Sequence, residues 1–248
     1  SVSKDLPEGS LEYSNQHKLV CYPTEIKNNK PVKVRYHSVY HRKLSDNPER
    51  NGVFYRRSVE TPATTPYEFI EWEPEVLISD VVYRMTGTTN NPKPETKETN
   101  YDCKYPSIVV RKDGEDDFAY IVFEGHDITG STVSEIFEAK INARTGENAP
   151  GYEYPLALKK YSSSDYHLWY KPVVNASALG NYYSWSVPSG GLQVAWKRPE
   201  ATNFDDNHKK IIAYSSNYTT LPNCAHSSMN NYSRISIGED DAAVVWQE

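Results

Sequence analysis

The stretch YPSIVVRKDGEDDFAYIVFE, residues 105–124, decides the fold class of this chain. It holds two runs rich in β-branched and aromatic residues, Tyr105–Val110 and Phe118–Phe123, on either side of the polar segment Lys112–Asp117. Runs of this composition favour β-strands, and an Asp-Gly pair between two such runs favours a tight turn. The stretch therefore predicts an antiparallel hairpin.

The hairpin pattern recurs along the chain. The segment YSRISIGEDDAAVVWQ at residues 232–247 is a second copy, and a third copy with a longer loop joins Tyr170–Val174 to Leu192–Trp196. A weaker copy joins Tyr22–Ile26 to Val34–Tyr40. Since an internal repeat identifies the architecture of a chain, the four copies predict one structural unit used several times.

The repeat has a regular period. Its leading tyrosines, at positions 105, 170 and 232, are 65 and 62 residues apart. A third β-rich run follows each second strand by about 14 residues in three of the copies, and outer strands follow in two of them. The third and outer runs are Val53–Tyr55, Glu135–Phe137, Ile211–Tyr214, Glu75–Ser79 and Tyr154–Leu158. No long stretch has the 3.6-residue spacing of an amphipathic helix.

A short antiparallel meander repeated in this way is typical of a β-propeller blade, because stacked blades bury both faces of each small sheet. We therefore expect an all-β chain of four-stranded antiparallel meander blades. The aromatic residues that end the second strands are Tyr40, Phe123, Trp196 and Trp246. Of these, Phe123 and Trp246 occupy equivalent places and are expected to pack between blades.

The expected division of the chain follows the repeats. Residues 22–100 form a first blade with a loop excursion at 86–100, residues 101–160 a second and residues 161–228 a third. Residues 229–248 supply the first two strands of a further blade, and residues 1–21 form an N-terminal segment that could add a closing strand. Because the last copy stops before its third strand, we expect a part of a larger propeller, of about six to eight blades. A closed four-bladed ring is the alternative.

Composition limits the function classes. The net charge of −6 and the lack of a long basic run argue against nucleic acid as a partner, and no run of 18 apolar residues is present to span a membrane. Three cysteines, Cys21, Cys103 and Cys224, imply no disulfide framework. One bridge remains open if the protein is exported, and three idle thiols are the alternative.

The phrases YPSIVV…DGEDDFAYIVFEG, YSRISIGEDDAAVVWQE and NGVFYRRSVE…WEPEVLIS resemble the blades of sialidase-like β-propellers of the BNR type. The resemblance covers about Tyr22 to Gln247 and is generic. The family's turn motif is degraded: Ser58 and Glu60 match its start, and Trp72 is displaced from its place by the insert 61–70. Sialidase activity would imply three arginines that clamp a carboxylate, a Tyr–Glu nucleophile pair and an acidic proton donor.

Several groups of side chains are candidates for a binding or catalytic site. The acidic turns, Asp113, Asp116, Asp117, Glu239, Asp240 and Asp241, could ligate Ca²⁺ but are also ordinary turn formers. His37 and His41 lie four apart on a predicted strand, so both point to one face and could bind zinc with Cys21 or His17. Aromatic residues of the third unit could stack on sugars; these are Tyr161, Tyr166, Trp169, Tyr182, Tyr183 and Trp185.

For each of these groups, a structural role explains the residues better than a binding or catalytic role does. The sequence therefore assigns no catalytic, cofactor-binding or metal-binding residue. We expect a non-catalytic β-propeller module of a secreted or cell-surface, bacterial-type protein that contacts a protein partner or the remainder of its own polypeptide. Nucleic acid and direct membrane insertion are not expected. A glycan-binding or glycan-hydrolysing propeller is the alternative.

Overall fold

The computed structural model describes residues 18–44, 50–86, 93–129, 133–162, 171–177, 180–187, 191–197, 212–213, 232–237 and 242–247. These residues form β-strands and their connections, with one short 3₁₀ turn at Tyr67–Phe69 and no α-helix among them. The strands pair antiparallel except at one bridge. The prediction of an all-β chain with antiparallel sheets is confirmed.

The strands of the described residues belong to four sheets. Sheet I contains β1 (Leu19–Lys27), β2 (Lys30–Lys43), β3 (Asn51–Arg57), β4 (Thr61–Pro62) and β5 (Val76–Leu77). Sheet II contains β6 (Val82–Thr86), β7 (Lys93–Glu98), β8 (Tyr101–Asp113), β9 (Asp116–Asp127), β10 (Val133–Asn142) and β11 (Leu156–Ser162). Sheet III contains β12 (Val173–Ser177), β13 (Gly180–Val187), β14 (Gly191–Lys197) and β15 (Ile212–Ala213), and sheet IV contains β16 (Tyr232–Ile237) and β17 (Ala242–Gln247).

Sheet I has the order β1-β2-β3-β5, and β4 pairs with β2. Asn28 and Asn29, with φ angles of 51° and 60°, form the two-residue turn between β1 and β2. Two consecutive left-handed residues suit the twist of a hairpin, and asparagine tolerates that conformation well. The meander of the first unit is confirmed. Residues 19–21 belong to β1 rather than to a separate closing strand, and residues 1–17 lie outside the described part of the chain.

Sheet II has the order β7-β6-β11-β10-β9-β8. The hairpin predicted from the opening stretch is β8–β9, with Asp113 paired to Asp116 and Gly114 at φ 66° in the turn. The third and outer strands of this unit are β10 and β11, as expected. The segment 86–100 was expected to be a loop, but it contains β7, which pairs with β6 and extends sheet II.

Sheet II must be strongly curled. Its terminal strands in the pairing order, β7 and β8, are joined by two residues, Thr99 and Asn100. Six flat strands would place the outer two about 24 Å apart, whereas three peptide units from Glu98 to Tyr101 reach about 11 Å. The β6–β7 hairpin joins the other four strands through a single parallel bridge between Tyr83 and Leu156.

Sheet III corrects one predicted pairing. Residues 170–174 and 192–196 were expected to form one hairpin with a long loop, but β13 lies between them and pairs with both β12 and β14. The second strand of this unit therefore carries Trp185, not Trp196. Trp185 is 2% exposed and packs against Val122 and Ile136 of sheet II. In sheet IV, the predicted C-terminal hairpin is present as β16–β17.

Sheets I, II and III stack face to face in chain order. One core contains Val39, Val53 and Tyr55 of sheet I with Phe123 and Phe137 of sheet II, both fully buried. The predicted packing of Phe123 between two sheets is thus confirmed. The opposite face of sheet II packs against β12 and β13 of sheet III. Strand β16 of sheet IV lies against β12 and β13 in turn.

Candidate functional site

Tyrosine hydroxyls recur as donors to acidic side chains in this protein. Each of five carboxyl groups accepts a hydrogen bond from at least one tyrosine. The pairs among the described residues are Tyr22–Asp117, Tyr40–Glu75, Tyr101–Glu135, Tyr120–Asp113, Tyr152–Glu138 and Tyr183–Glu138, so Glu138 accepts from two tyrosines. A further buried acidic residue, Glu124, is hydrogen-bonded to His126 instead. Buried carboxylates are costly unless they are hydrogen-bonded, so these pairs make acidic residues tolerable between stacked sheets.

The pair formed by Tyr101 and Glu135 lies beside two charged groups. Glu135 is fully buried on β10 and accepts the Tyr101 hydroxyl. Arg84 of β6 reaches Glu135 at 3.7 Å and Asp127 at 3.6 Å, because the curl of sheet II brings β6 close to β9 and β10. Burial, followed by the Glu135 carboxylate, raises the pKa of Tyr101 above its usual range. The four side chains form a compact acid–base cluster that the sequence did not reveal, since its members are distant along the chain.

Two arginines hold a carboxylate elsewhere, on sheet I. Arg35 Nη1 and Arg57 Nε donate to the two oxygens of Glu73 at 2.7 and 2.5 Å. Arg56 adds a hydrogen bond to the backbone carbonyl of Glu73. The acceptor is a residue of the protein itself, so this clamp orders the connection that precedes β5.

A histidine on β9 lies between an acid and a serine. His126 Nε2 is 2.8 Å from Glu124 Oε1, and Ser134 Oγ is 3.3 Å from both ring nitrogens of His126. Acid, histidine and serine in this order are the components of a nucleophilic triad. Ser134 is only 1% exposed and is equidistant from the two nitrogens, so its hydroxyl is not directed at one base nitrogen. The arrangement is that of a buried polar network.

The two histidines considered as zinc ligands both lie on the face of β2 that packs against sheet II. His37 Nδ1 is 2.7 Å from the Tyr55 hydroxyl, and the His41 ring packs edge-on against Tyr105 at 5.5 Å. Burial, reinforced by nearby positive charge, lowers the pKa of each histidine to about 3. Cys21 is exposed, and His17 lies outside the described residues.

Two carboxylates of the acidic β8–β9 turn are paired with the protein's own cations. Asp113 accepts from Lys140 at 2.6 Å, and Asp117 accepts from Arg144 at 2.9 Å. Residues 239–241 lie outside the described part of the chain. Within the described residues, no group of three or more His, Cys, Asp or Glu side chains is placed to hold a metal ion.

The connection from β3 to β5, residues 58–75, exposes large apolar side chains. Phe69 and Tyr67 of the 3₁₀ turn are 70% and 50% exposed, and Val59 is 43% exposed. The turn is held against sheet I by a ring contact between Tyr67 and Tyr36. This connection contains the insert at 61–70 that separates Trp72 from the turn residues of the resembled family.

Of the aromatic residues of the third unit, Tyr183 and Trp185 are each 2% exposed and belong to the core between sheets II and III. They are therefore not available to stack on a sugar. Tyr166 and Trp169 lie outside the described residues. The described cysteines, Cys21 and Cys103, are free thiols.

No protein-family model and no curated protein matches the chain. The resemblance to sialidase-like propellers therefore stays a prediction based on the quoted blade phrases. The part of the chain that the structure describes contains no helix with the length and hydropathy of a membrane span.

Proposed function

We propose that this chain is a β-propeller-type module that binds another protein through the exposed connection of its first sheet. The observation that carries the proposal is the distribution of exposed large apolar side chains. Six of the seven among the described residues lie on sheet I or its connections: Leu19, Ile26, Val59, Tyr67, Phe69 and Val76, with Ile128 as the seventh. Exposed apolar side chains gathered on one part of a protein are typical of protein–protein contact sites.

The propeller architecture is supported by the order in which the sheets meet. Strands β8, β12 and β16 are the first strands of their meanders, and β12 contacts both β8 and β16. First strands that meet in series, with faces stacked in chain order, are the arrangement expected of neighbouring blades around an axis. In this proposal the chain is one part of a larger assembly, exported to the cell surface or beyond.

The hydrogen bonding of the buried acidic side chains supports a non-catalytic function. Glu135, Glu138 and Glu124 are all fully buried and hydrogen-bonded to neighbouring side chains. Binding through loops on a scaffold of sheets needs none of them to change protonation state.

The test is site-specific photo-crosslinking in the organism of origin. A benzophenone amino acid at position 69 is expected to give a discrete crosslinked protein, whereas the same probe at position 115, in the β8–β9 turn, gives none. Excess wild-type chain should suppress the crosslink, and a Phe69→Ser chain in the same excess should not. Equal patterns at both positions, or equal competition by the two chains, would refute the proposal.

The cluster of Tyr101, Glu135 and Arg84 favours a second candidate, a glycan hydrolase of the sialidase type. A tyrosine paired with a glutamate is the nucleophile arrangement that the resemblance implies, although the described residues place one arginine there and not three. A fluorogenic sialoside distinguishes the two candidates. Turnover that is lost in both Tyr101→Phe and Glu135→Gln would establish the hydrolase and overturn the non-catalytic proposal.

A further inference from the structure

The connection from β3 to β5, residues 58–75, carries charge of one sign only. It contains five glutamates and no aspartate, lysine, arginine or histidine. The two strands to which it is attached have the opposite composition, because β2 and β3 together contain seven lysines and arginines and no acidic residue. The charge that the connection presents to solvent therefore depends on which of its glutamates these strands neutralise.

Three of the five glutamates are neutralised by sheet I. Their ion pairs are Lys33–Glu60, Arg35–Glu73, Arg57–Glu73 and Arg42–Glu75. The nitrogen–oxygen distances of the first three pairs are 3.0, 2.7 and 2.5 Å. These pairs hold the beginning and the end of the connection on the sheet, and they occupy the cations that lie nearest to it.

The other two glutamates lie in the middle of the connection, on either side of its most exposed ring. Glu68 and Glu71 are exposed, and within the described residues their carboxylates form no ion pair. Phe69 between them is 70% exposed, whereas Ile70 is 8% exposed and anchors the segment. We call Tyr67, Glu68, Phe69 and Glu71 the acidic aromatic tip.

The tip has a defined shape. The backbone N–H of Phe69 donates to the carbonyl oxygen of Pro66 at 3.0 Å, and that of Ile70 donates to Tyr67 at 3.2 Å. The Tyr67 ring meets the Tyr36 ring edge-on, with their centres 6.1 Å apart. A surface that is held in one conformation before binding loses less conformational entropy when a partner binds.

We infer that the acidic aromatic tip binds a basic surface of the partner protein, with an apolar pocket for Phe69 and lysine or arginine beside that pocket. The inference rests on the proposed protein-binding function of this connection and adds the chemistry of the partner. An aromatic anchor in a pocket contributes much of the binding energy, and charges around it set association rate and specificity. The net charge of −6 attracts a basic partner at longer range as well.

The test selects peptides from a random library displayed on phage against the immobilised whole chain. Selected peptides are expected to combine lysine or arginine with a large apolar residue. Fluorescence anisotropy of one such labelled peptide then compares variants. The double variant Glu68→Gln, Glu71→Gln should bind it about threefold to thirtyfold more weakly, because each exposed ion pair contributes modestly. High salt should reduce this difference, since it screens exposed charges.

Two control variants make the result specific. Glu115→Gln, at an exposed glutamate in the β8–β9 turn, should bind the peptide as the wild type does. The double variant should keep the wild-type melting temperature, because both of its positions are exposed and glutamine has the size of glutamate. Phe69→Ser should abolish measurable binding, because it removes the aromatic anchor.

The outcomes separate this inference from the proposed function. Binding that is lost in Phe69→Ser but unchanged in the double variant would overturn the basic partner and leave the protein-binding connection in place. Selection of acidic or uncharged peptides that depend on Phe69 would have the same meaning. A selection that yields no peptide dependent on Phe69 would contradict both.

Discussion

Replacing Tyr183 by phenylalanine removes one hydroxyl from the junction of sheets II and III. That hydroxyl donates to Glu138, which is fully buried and also accepts the Tyr152 hydroxyl at 3.2 Å. A hydrogen bond to a charged acceptor contributes about 1.5–3 kcal/mol. In a protein of this size, each kcal/mol corresponds to roughly 2–4 °C in melting temperature. The variant is therefore expected to melt about 3–12 °C below the wild type near neutral pH.

The size of that difference should depend on pH in one direction. Burial, followed by the Glu138 charge, raises the pKa of Tyr183 above its ordinary value. A group whose pKa is raised by folding contributes stability that is complete below its unfolded pKa, about 10, and is lost as the pH rises toward its folded pKa. The gap between wild type and Tyr183→Phe should thus be constant from about pH 6 to 9 and shrink above about pH 10.

Urea unfolding and calorimetry of both proteins, at several pH values, measure this directly. Tyr67→Phe is the matched control, because Tyr67 is 50% exposed on the 3₁₀ turn and a surface change of this kind stays within about 0.5 kcal/mol. A Tyr183→Phe melting temperature within 1 °C of the wild type would refute the assignment of the buried pair. A gap that keeps its size well above pH 10 would refute the linkage argument.

Three further outcomes are expected. Burial lowers the pKa of His37 and His41 to about 3, so the folded protein favours their neutral forms. The free energy of unfolding should therefore fall as the pH drops from about 6.5 toward 3. Calorimetry of the double variant His37→Gln, His41→Gln should show a shallower fall. Gly125→Ala should destabilise by about 1–3 kcal/mol in urea unfolding, because its methyl group would lie 2.9 Å from two buried aromatic rings. A maleimide should label the exposed Cys21 quickly and the buried Cys103 only on unfolding, since burial also raises the pKa of the Cys103 thiol; equal labelling rates would contradict this.

The hairpins could be predicted from the sequence, because they depend on residues close together in the chain. The turn residues Asn28, Asn29 and Gly114 mark hairpins because their backbone geometry is a local property. Strand β13 was missed because its polar and aromatic residues were interpreted as a loop, although a run such as NYYSWSV at 181–187 has high β-propensity. Strand β7 was missed because KPETKE has no apolar side chain, and only pairing with β6 makes it a strand.

The candidate sites could not be predicted from local sequence patterns. Arg84, Tyr101 and Glu135 meet because sheet II curls, and the curl depends on the pairing of Tyr83 with Leu156, which no local pattern indicates.

The curl of sheet II also has a consequence for synthesis on the ribosome. Tyr83 finds its partner, Leu156, only after 73 more residues have been made. At about 5–20 residues per second, the β6–β7 hairpin waits roughly 4–15 s for the strand that it joins. During that time one edge of β6 is open to pairing with a neighbouring nascent chain. Strand β7 covers the other edge of β6, so the edge that stays open is the one that later joins β11.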